Sequence, residues 1–404
     1  MAAASERQQQ FSAILLLTIK IMRQETKGLI IATTTLVGTI IGVGIFSVPY
    51  ALSQAGVGIG LAYFVVLGGI QLLQHLFYAE AAIATPEKLR LVGLTEKYLG
   101  KRAKHIAAVS AVLGFWGGML AYMIVGGTFL HTILAPYFGG SVFAYQIGWA
   151  LVGAGAIYFG LGFISKIDFF ATLGLVGAML LIFALGAPHV QVENLPWFVG
   201  KDLFLPYGVI LFSLSGLPAI TEMEDILEGK HRKYRLAVVL GTLIAVALTA
   251  TFGYIVWGVT GGGTTQDAVS GLAAVLGTRV TILAAVFGFL AVATSFFATA
   301  INLQSTFEYD YKLPHASAWF LTGAVPFVLL IAGIKDFVKI VSFSGAVFGG
   351  ITAVLVAMLY IAIAKRRAVK VKPLGAPLWL AYVSIAILSV GAVYETLMAA
   401  RGLV

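Results

Sequence analysis

Apolar stretches close to the ~20 residues that a helix needs to cross a ~30 Å hydrocarbon layer recur along the whole chain. Separated by short polar connections, they predict eleven spans, at 29–55, 57–84, 103–135, 141–160, 167–187, 203–227, 236–260, 272–307, 316–333, 336–363 and 375–399. A barrel would show alternating strands of ~10 residues instead. The expected class is therefore an all-α polytopic membrane protein. Ahead of the first span, "FSAILLLTIKIMRQ" is apolar but short, with Lys20 and Arg23 in it. No small-residue cleavage site follows before Glu25 and Lys27, so it is expected to be an interfacial or packed helix of a cytoplasmic N-terminal segment, 1–28, rather than a cleaved signal peptide.

Composition agrees with this pattern. Of 404 residues, 60% are hydrophobic and 11% charged, and the mean hydropathy is +0.97; a soluble domain has roughly a quarter of its residues charged. The net charge of +9 resides in the connections. With the N-terminus inside, 21 of the 26 Lys and Arg fall in inner segments, and only Lys201, Arg279, Lys335, Lys339 and Arg401 do not. The positive-inside rule then predicts an N-in, C-out chain in a prokaryotic plasma membrane. Basic residues dispersed among short loops argue against nucleic acid as a partner and for the lipid bilayer. The absence of cysteine excludes disulfides and thiolate metal sites.

Two spans carry interruptions. The first contains "TIIGVGIFSVP", in which Gly42 and Gly44 permit unusual backbone angles and Pro49 removes a donor, freeing peptide groups in mid-membrane. Alone, this stretch reads equally as close helix packing, since Gly38 and Gly42 form a small-xxx-small pair. The sixth span repeats the pattern in "LFSLSGLPAITEME", with Gly216 lying 172 residues after Gly44. Paired interruptions about five spans apart point to an inverted-repeat secondary transporter with its site at the midplane. The expected organisation is a first repeat over 29–187, an inverted second repeat over 203–363, and an additional helix at 375–399.

These residues also carry a resemblance. "IGVGIFSVP" resembles the first-helix signature of the amino acid, polyamine and organocation transporter superfamily. Within it, "GTIIGVGIFSVPYALSQAGVG", "EGKHRKYRLAVVLG" and "ATSFFATAINLQSTFEYDY" resemble the hydroxy and aromatic amino acid permease branch, over essentially the whole chain. The resemblance implies the leucine-transporter-type fold, five plus five inverted helices with one more here, and cation-coupled amino acid uptake.

A zwitterionic substrate needs donors for its carboxylate and acceptors for its ammonium. The half-helix starting at Ile45, Phe46 and Ser47 offers free N–H groups and the positive end of its dipole. Carbonyls in the break at Gly42, Val43 and Gly44, and around Ser213, Ser215 and Gly216, suit the ammonium. In the third span, Met119 and Tyr122 lie in a Met and aromatic stripe that also includes Trp116; such a stripe is ordinarily packing, but related transporters set this helix against the substrate side chain. With Phe46 and Leu217, they indicate a neutral amino acid with an apolar or aromatic side chain. Thr294 and Ser295 have intrahelical back-bonding as their ordinary role. In the resembled fold, a hydroxyl pair there binds Na+ together with first-helix carbonyls. Some proton-coupled relatives carry a lysine in mid-fifth helix, where "FFATLGLVGAMLLIF" has none and Lys166 lies at the inner edge. Na+ and H+ both stand as coupling ions.

Buried carboxylates in spans are costly and usually functional, which makes Glu80 and Glu222 candidates for coupling, with capping or pairing as their alternative. A cation-coupled symporter is the expected function, with an exchanger or uniporter of the same fold as the alternative. A channel is disfavoured by the lack of a repeated filter motif. An enzyme is disfavoured because six scattered histidines without HExxH supply neither a metal cluster nor a nucleophile and base. A nucleotide-driven pump is disfavoured by the lack of a phosphate-binding loop. No cofactor is expected beyond the coupling ion. The oligomeric state is open.

Overall fold

The computed structural model describes residues 26–85, 87, 89–158, 177, 179–227, 230–366 and 376–401. The expected N-terminal helix, most of the fifth span with Lys166, and Arg367, Lys370 and Lys372 lie outside those residues. No strand occurs among the described residues.

The first span is two helices. α1, Thr26–Ile40, stops before Gly42; a 3-10 turn at Val43–Ser47 then leads into α2, Val48–Ala55, and the two halves bend by 48°. The second span is α3, Val57–Ile83, the third α5, Lys101–Phe138, and the fourth α6, Val142–Tyr158. Of the fifth, α7, Met179–His189, is described. The sixth is again two helices, α8 at Leu205–Ser213 and α9 at Leu217–Leu227. The seventh is α10, His231–Thr260. The eighth comprises the single turn α11, Ala273–Leu276, and α12, Thr278–Ser305, which runs into a π turn at Thr306–Asp310. The ninth is α13, His315–Ile331. The tenth is α14, Phe337–Phe343, a π-helical segment at Ser344–Gly349, and α15, Gly350–Lys365. The eleventh is α16, Leu378–Ala400.

Among the described residues, seven helices are long and apolar enough to cross a membrane, and α1 with α2 makes an eighth. The shorter apolar helices Val142–Tyr158, Met179–His189 and His315–Ile331 stand at the fourth, fifth and ninth expected spans. One helix was not legible from apolar length: α4, Leu91–Leu99, in the basic connection between the second and third spans. It forms because Leu94 and Thr95 are buried against the bundle, and it ends at Gly100, whose φ of 91° side-chained residues rarely adopt. Glu96 then pairs with Lys104 across that corner at 2.7 Å.

The helices pack in two groups. α5 lies along α12 more extensively than any other described pair, and α6 and α13 join them. α1 with α2, α3, α8 with α9, and α10 form the second group, with α3 against α10 and α8 against α2 and α3. The tenth span bridges the groups, and α16 packs outside it on α15. Lipid tails are as apolar as leucine, so close approach rather than water expulsion drives such packing. Gly127 accordingly lies against the Gln146 backbone, and Gly288 against Phe129.

At the end of the bundle that carries the basic connections, Glu80 of α3 receives a bidentate ion pair from Arg235 of α10, Nε to Oε1 at 2.6 Å and the terminal nitrogen to Oε2 at 3.0 Å. Glu80 is 4% exposed and the Arg235 side chain 25%. Removing one partner strands a buried charge, so Arg235→Met is expected to lower stability by about 3 kcal/mol, at the low end of the range because Arg235 is partly exposed. The double change Glu80→Gln with Arg235→Met should recover most of that loss. Thermal unfolding of the detergent-solubilised protein measures both.

Candidate functional site

The two helix breaks touch. A Cβ placed on Gly44 would lie 2.8 Å from Phe212 Cδ1 and from Ser213 Oγ, and 2.9 Å from Ser213 Cα. One on Gly216 would lie 2.6 Å from Ile40 Cγ1 and 2.8 Å from Leu36 Cδ1. The start of the second half of each span thus sits on the end of the first half of the other, the crossing that two oppositely oriented repeats generate.

The peptide groups they leave are complementary. In the first break, Ile41 N–H bonds Val37 C=O and Gly42 N–H bonds Ile40 C=O, both at 2.9 Å, while Ile45 N–H reaches Gly42 C=O at 3.4 Å. The N–H groups of Val43 and Gly44 donate to no group among the described residues, and no side chain caps this helix start. In the sixth break, Leu214 N–H bonds Ile210 C=O at 3.0 Å and Ser215 N–H bonds Phe212 C=O at 3.1 Å. The carbonyls of Ser213, Leu214 and Ser215 accept no hydrogen bond among the described residues. The first break thus leaves two consecutive donors free and the sixth three consecutive acceptors, with Ile41 C=O and Leu217 N–H also without a bond among the described residues.

Neighbouring helices hold this backbone. Gln71 Nε2 of α3 donates to Leu211 C=O at 2.8 Å, and one helical turn on His75 Nε2 accepts from Gly216 N–H at 3.1 Å. Ser47 Oγ donates to Gly44 C=O at 2.6 Å, and Ser213 Oγ to Val209 C=O at 2.7 Å, so both hydroxyls are spent tying turns. Phe46 is wedged edge-on between Phe129 of α5 at 5.0 Å and Phe252 of α10 at 6.1 Å, which anchors the 3-10 turn. Val43 and Ile45 are buried, Ser215 is exposed, and Leu217 is half-buried.

Tyr122 and Ser295 converge on the first break: a Cβ on Gly42 would meet Tyr122 Oη at 3.9 Å and Ser295 Oγ at 4.0 Å. The Tyr122 and Ser295 hydroxyls thus lie on the same side of Gly42. Trp149 of α6 donates from Nε1 to Tyr122 C=O at 3.3 Å, so the fourth span fixes the turn that carries this tyrosine. Met119, one turn earlier, is fully buried, whereas Trp116 donates to Leu321 C=O at 3.1 Å and serves to join α5 to α13. Thr294 is buried and back-bonds Ala291 C=O at 3.0 Å, which leaves its lone pairs unengaged.

The two carboxylates expected to be functional fall elsewhere. Glu80 has both oxygens engaged by Arg235. Glu222, expected in the interior, is exposed, because α9 turns Thr221 and Met223 inward instead. Thr221 accepts a hydrogen bond from Arg90, and Tyr234 Oη donates to Ile220 C=O at 2.5 Å, so α9 is fastened by its neighbours. His75, Gln71 and Trp149 carry no binding role from sequence alone. The signal for the first two was available: polar residues at i and i+4 inside an apolar span must face a partner.

Helices broken in antiparallel pairs within two inverted repeats define a leucine-transporter-type secondary transporter. The same fold is seen in MhsT, solved in complex with L-phenylalanine, at a TM-score of 0.61 and 16% identity over 90% of this chain and 98% of that one. It is seen also in Mhp1, a nucleobase-cation-symport-1 family transporter solved in a closed conformation with bromovinylhydantoin bound, at 0.58 and 13% identity over 90% of this chain and 91% of that one. The chain belongs to the tryptophan/tyrosine permease family, whose sequence model matches residues 25–394. The tyrosine-specific transport system 1 of Haemophilus influenzae is 24% identical over 80% of this chain and 85% of its own length. The glutamine transporter 2 of Aliivibrio fischeri is 21% identical over 66% of this chain and 72% of its own length.

The contact between the breaks makes Gly44 and Gly42 unequal. Gly44→Ala should force Phe212 and the Ser213 backbone apart and cost about 1–3 kcal/mol, the range for overpacking. Gly42→Ala, whose nearest neighbour would be 3.9 Å away, should leave stability unchanged. Melting temperatures of the two purified variants make the comparison.

Proposed function

We propose that the protein is a cation-coupled symporter that carries large apolar or aromatic amino acids inward by alternating access. The observation that carries this reading is the pairing of a donor break with an acceptor break in direct contact. The free Val43 and Gly44 amides, at the positive end of the helix dipole, receive the substrate carboxylate. The Ser213, Leu214 and Ser215 carbonyls receive its ammonium. Tyr122, Met119 and Leu217 line the space for the side chain, and none carries a charge, so a neutral side chain is the one this site accepts. The tyrosine-specific relative and the phenylalanine-bound fold neighbour support an aromatic one.

For the coupling ion, the groups beside Gly42 are neutral oxygens, the hydroxyls of Ser295 and Tyr122 and the backbone carbonyls of the break, with Thr294 next to Ser295 in the chain. A set of hard, uncharged oxygen donors fits Na+, with Ser295 and Thr294 supplying hydroxyl ligands. The ion would supply positive charge at the broken helix and so favour the occupied, closed arrangement. The chain's own part is to place the Ser295 hydroxyl next to Gly42, so that filling the ion site and ordering the substrate break are one event. The two halves of each broken span are the moving parts, with the α5, α6, α12 and α13 group as the frame. The basic connections face the cytoplasm, as the positive-inside rule requires.

Uptake of radiolabelled L-tyrosine, L-tryptophan and L-phenylalanine into proteoliposomes, with sodium and proton gradients imposed separately, tests this. Concentrative uptake under an inward sodium gradient is expected, and Ser295→Ala or Thr294→Ala should abolish the sodium stimulation while leaving uptake down a substrate gradient. Uptake driven by a pH gradient alone would transfer coupling to protons. Counterflow without response to either gradient would make the protein an exchanger or uniporter.

A further inference from the structure

Two half-helices start near one site, at Val43 and at Leu217, and the positive end of either dipole is electrostatically suited to a carboxylate. What distinguishes them is a three-residue relay from α3 and α10. Gly216 N–H can only donate, so His75 Nε2, 3.1 Å away, must be the lone-pair nitrogen of a neutral ring. The ring hydrogen is then on Nδ1, 2.9 Å from Thr242 Oγ1. Thr242 donates its own hydrogen to Val238 C=O at 2.8 Å, so its oxygen is free to accept from Nδ1. Every hydrogen in the relay is assigned and every group satisfied. His75 and Thr242 are both fully buried, so no water competes for these bonds.

The consequence falls on the sixth break. Gly216 N–H is consumed by His75, Pro218 has no N–H, and Ala219 N–H bonds Gly216 C=O at 3.1 Å. The start of α9 is thereby left with the Leu217 N–H, which donates to no group among the described residues, and without the adjacent Gly216 donor, whereas the first break keeps two consecutive donors, Val43 and Gly44. We propose that His75 is a positioning residue that fixes substrate polarity: by capping the Gly216 amide as the Nδ1–H tautomer, it makes the sixth break an acceptor surface for the ammonium and leaves the first break as the carboxylate's place. This inference rests on the amino acid reading of the site given above.

Two isosteric changes separate this role from plain packing. In His75→Gln, the side-chain oxygen reaches the place of Nε2 and still accepts from Gly216, while the bond to Thr242 is lost. In His75→Asn, the shorter amide can serve Thr242 but not Gly216. Equilibrium binding of radiolabelled L-tyrosine to the purified protein should be within about threefold of wild type for His75→Gln and weakened about tenfold or more for His75→Asn, the scale of one lost hydrogen bond at the site. Tyramine, which lacks the carboxylate, should lose affinity in parallel with tyrosine in His75→Asn, whereas 3-(4-hydroxyphenyl)propionate, which lacks the ammonium, should not. Equal affinities in the Gln and Asn variants would overturn the proposal. A measurement that needs no variant to fold is the 15N spectrum of selectively labelled histidine in the wild-type protein: a buried neutral ring protonated at Nδ1 is expected, and an Nε2–H or doubly protonated ring at this position would overturn it. If wild-type protein binds none of the aromatic amino acids, the functional reading itself fails, a result distinct from a wild type that binds but whose two variants behave alike.

Discussion

In hydrocarbon each peptide group that lacks a partner costs several kcal/mol, and the two broken spans are where this chain meets that cost. α1 gives up its helical ladder after Ile41, and α8 gives up its own after Ser213. Everything around the breaks serves to hold a backbone that would otherwise close into helix. Gln71 and His75 bond the sixth span from α3, Ser47 and Ser213 tie their own turns, and the Phe46 ring is locked between α5 and α10. The consecutive amides of Val43 and Gly44 on one side and the consecutive carbonyls of Ser213, Leu214 and Ser215 on the other are left unpaired, a match for a zwitterion's two ends.

This arrangement separates tasks between the two helix groups. The group containing α5 and α12 offers hydroxyls and an aromatic wall, and it is stiffened by rings: Trp149 lies among Phe289, Phe296 and Phe297 at 4.9 to 5.9 Å. The group containing α3 and α10 offers hydrogen bonds to backbone. Tyr122 and Ser295 are the point at which the first group reaches the first break. On the proposed reading, an ion placed there and a substrate placed between the breaks would share the Gly42 to Gly44 turn, and that shared turn is how the one would influence the other.

Much of this was legible from sequence because glycine and proline in an apolar span have few other uses. The eleven apolar stretches and both interruptions were placed by pattern, and Gly44 and Gly216 proved to be contact points of the breaks. The supporting residues were harder to read. His75 and Gln71 are single polar residues in a long apolar helix, and their partners lie about 140 residues away, so only the fold discloses what they bond. Glu222 looked interior because it follows the break closely, but helical phase turns Thr221 and Met223 inward instead. α4 escaped notice because nine residues with two charges do not read as a helix until something buries their apolar side.

The mutual seating of the breaks has a consequence for how such a protein can vary. Position 44 is pressed on residue 213, and position 216 on residues 36 and 40, so neither break has a private environment. A larger residue at one must be matched by a smaller one opposite, and the two halves of the chain, although unlike in sequence, form one unit of inheritance at this crossing. Met119, on the α5 wall, is not among the atoms that either glycine would meet, so a change of side chain there leaves the seat itself undisturbed.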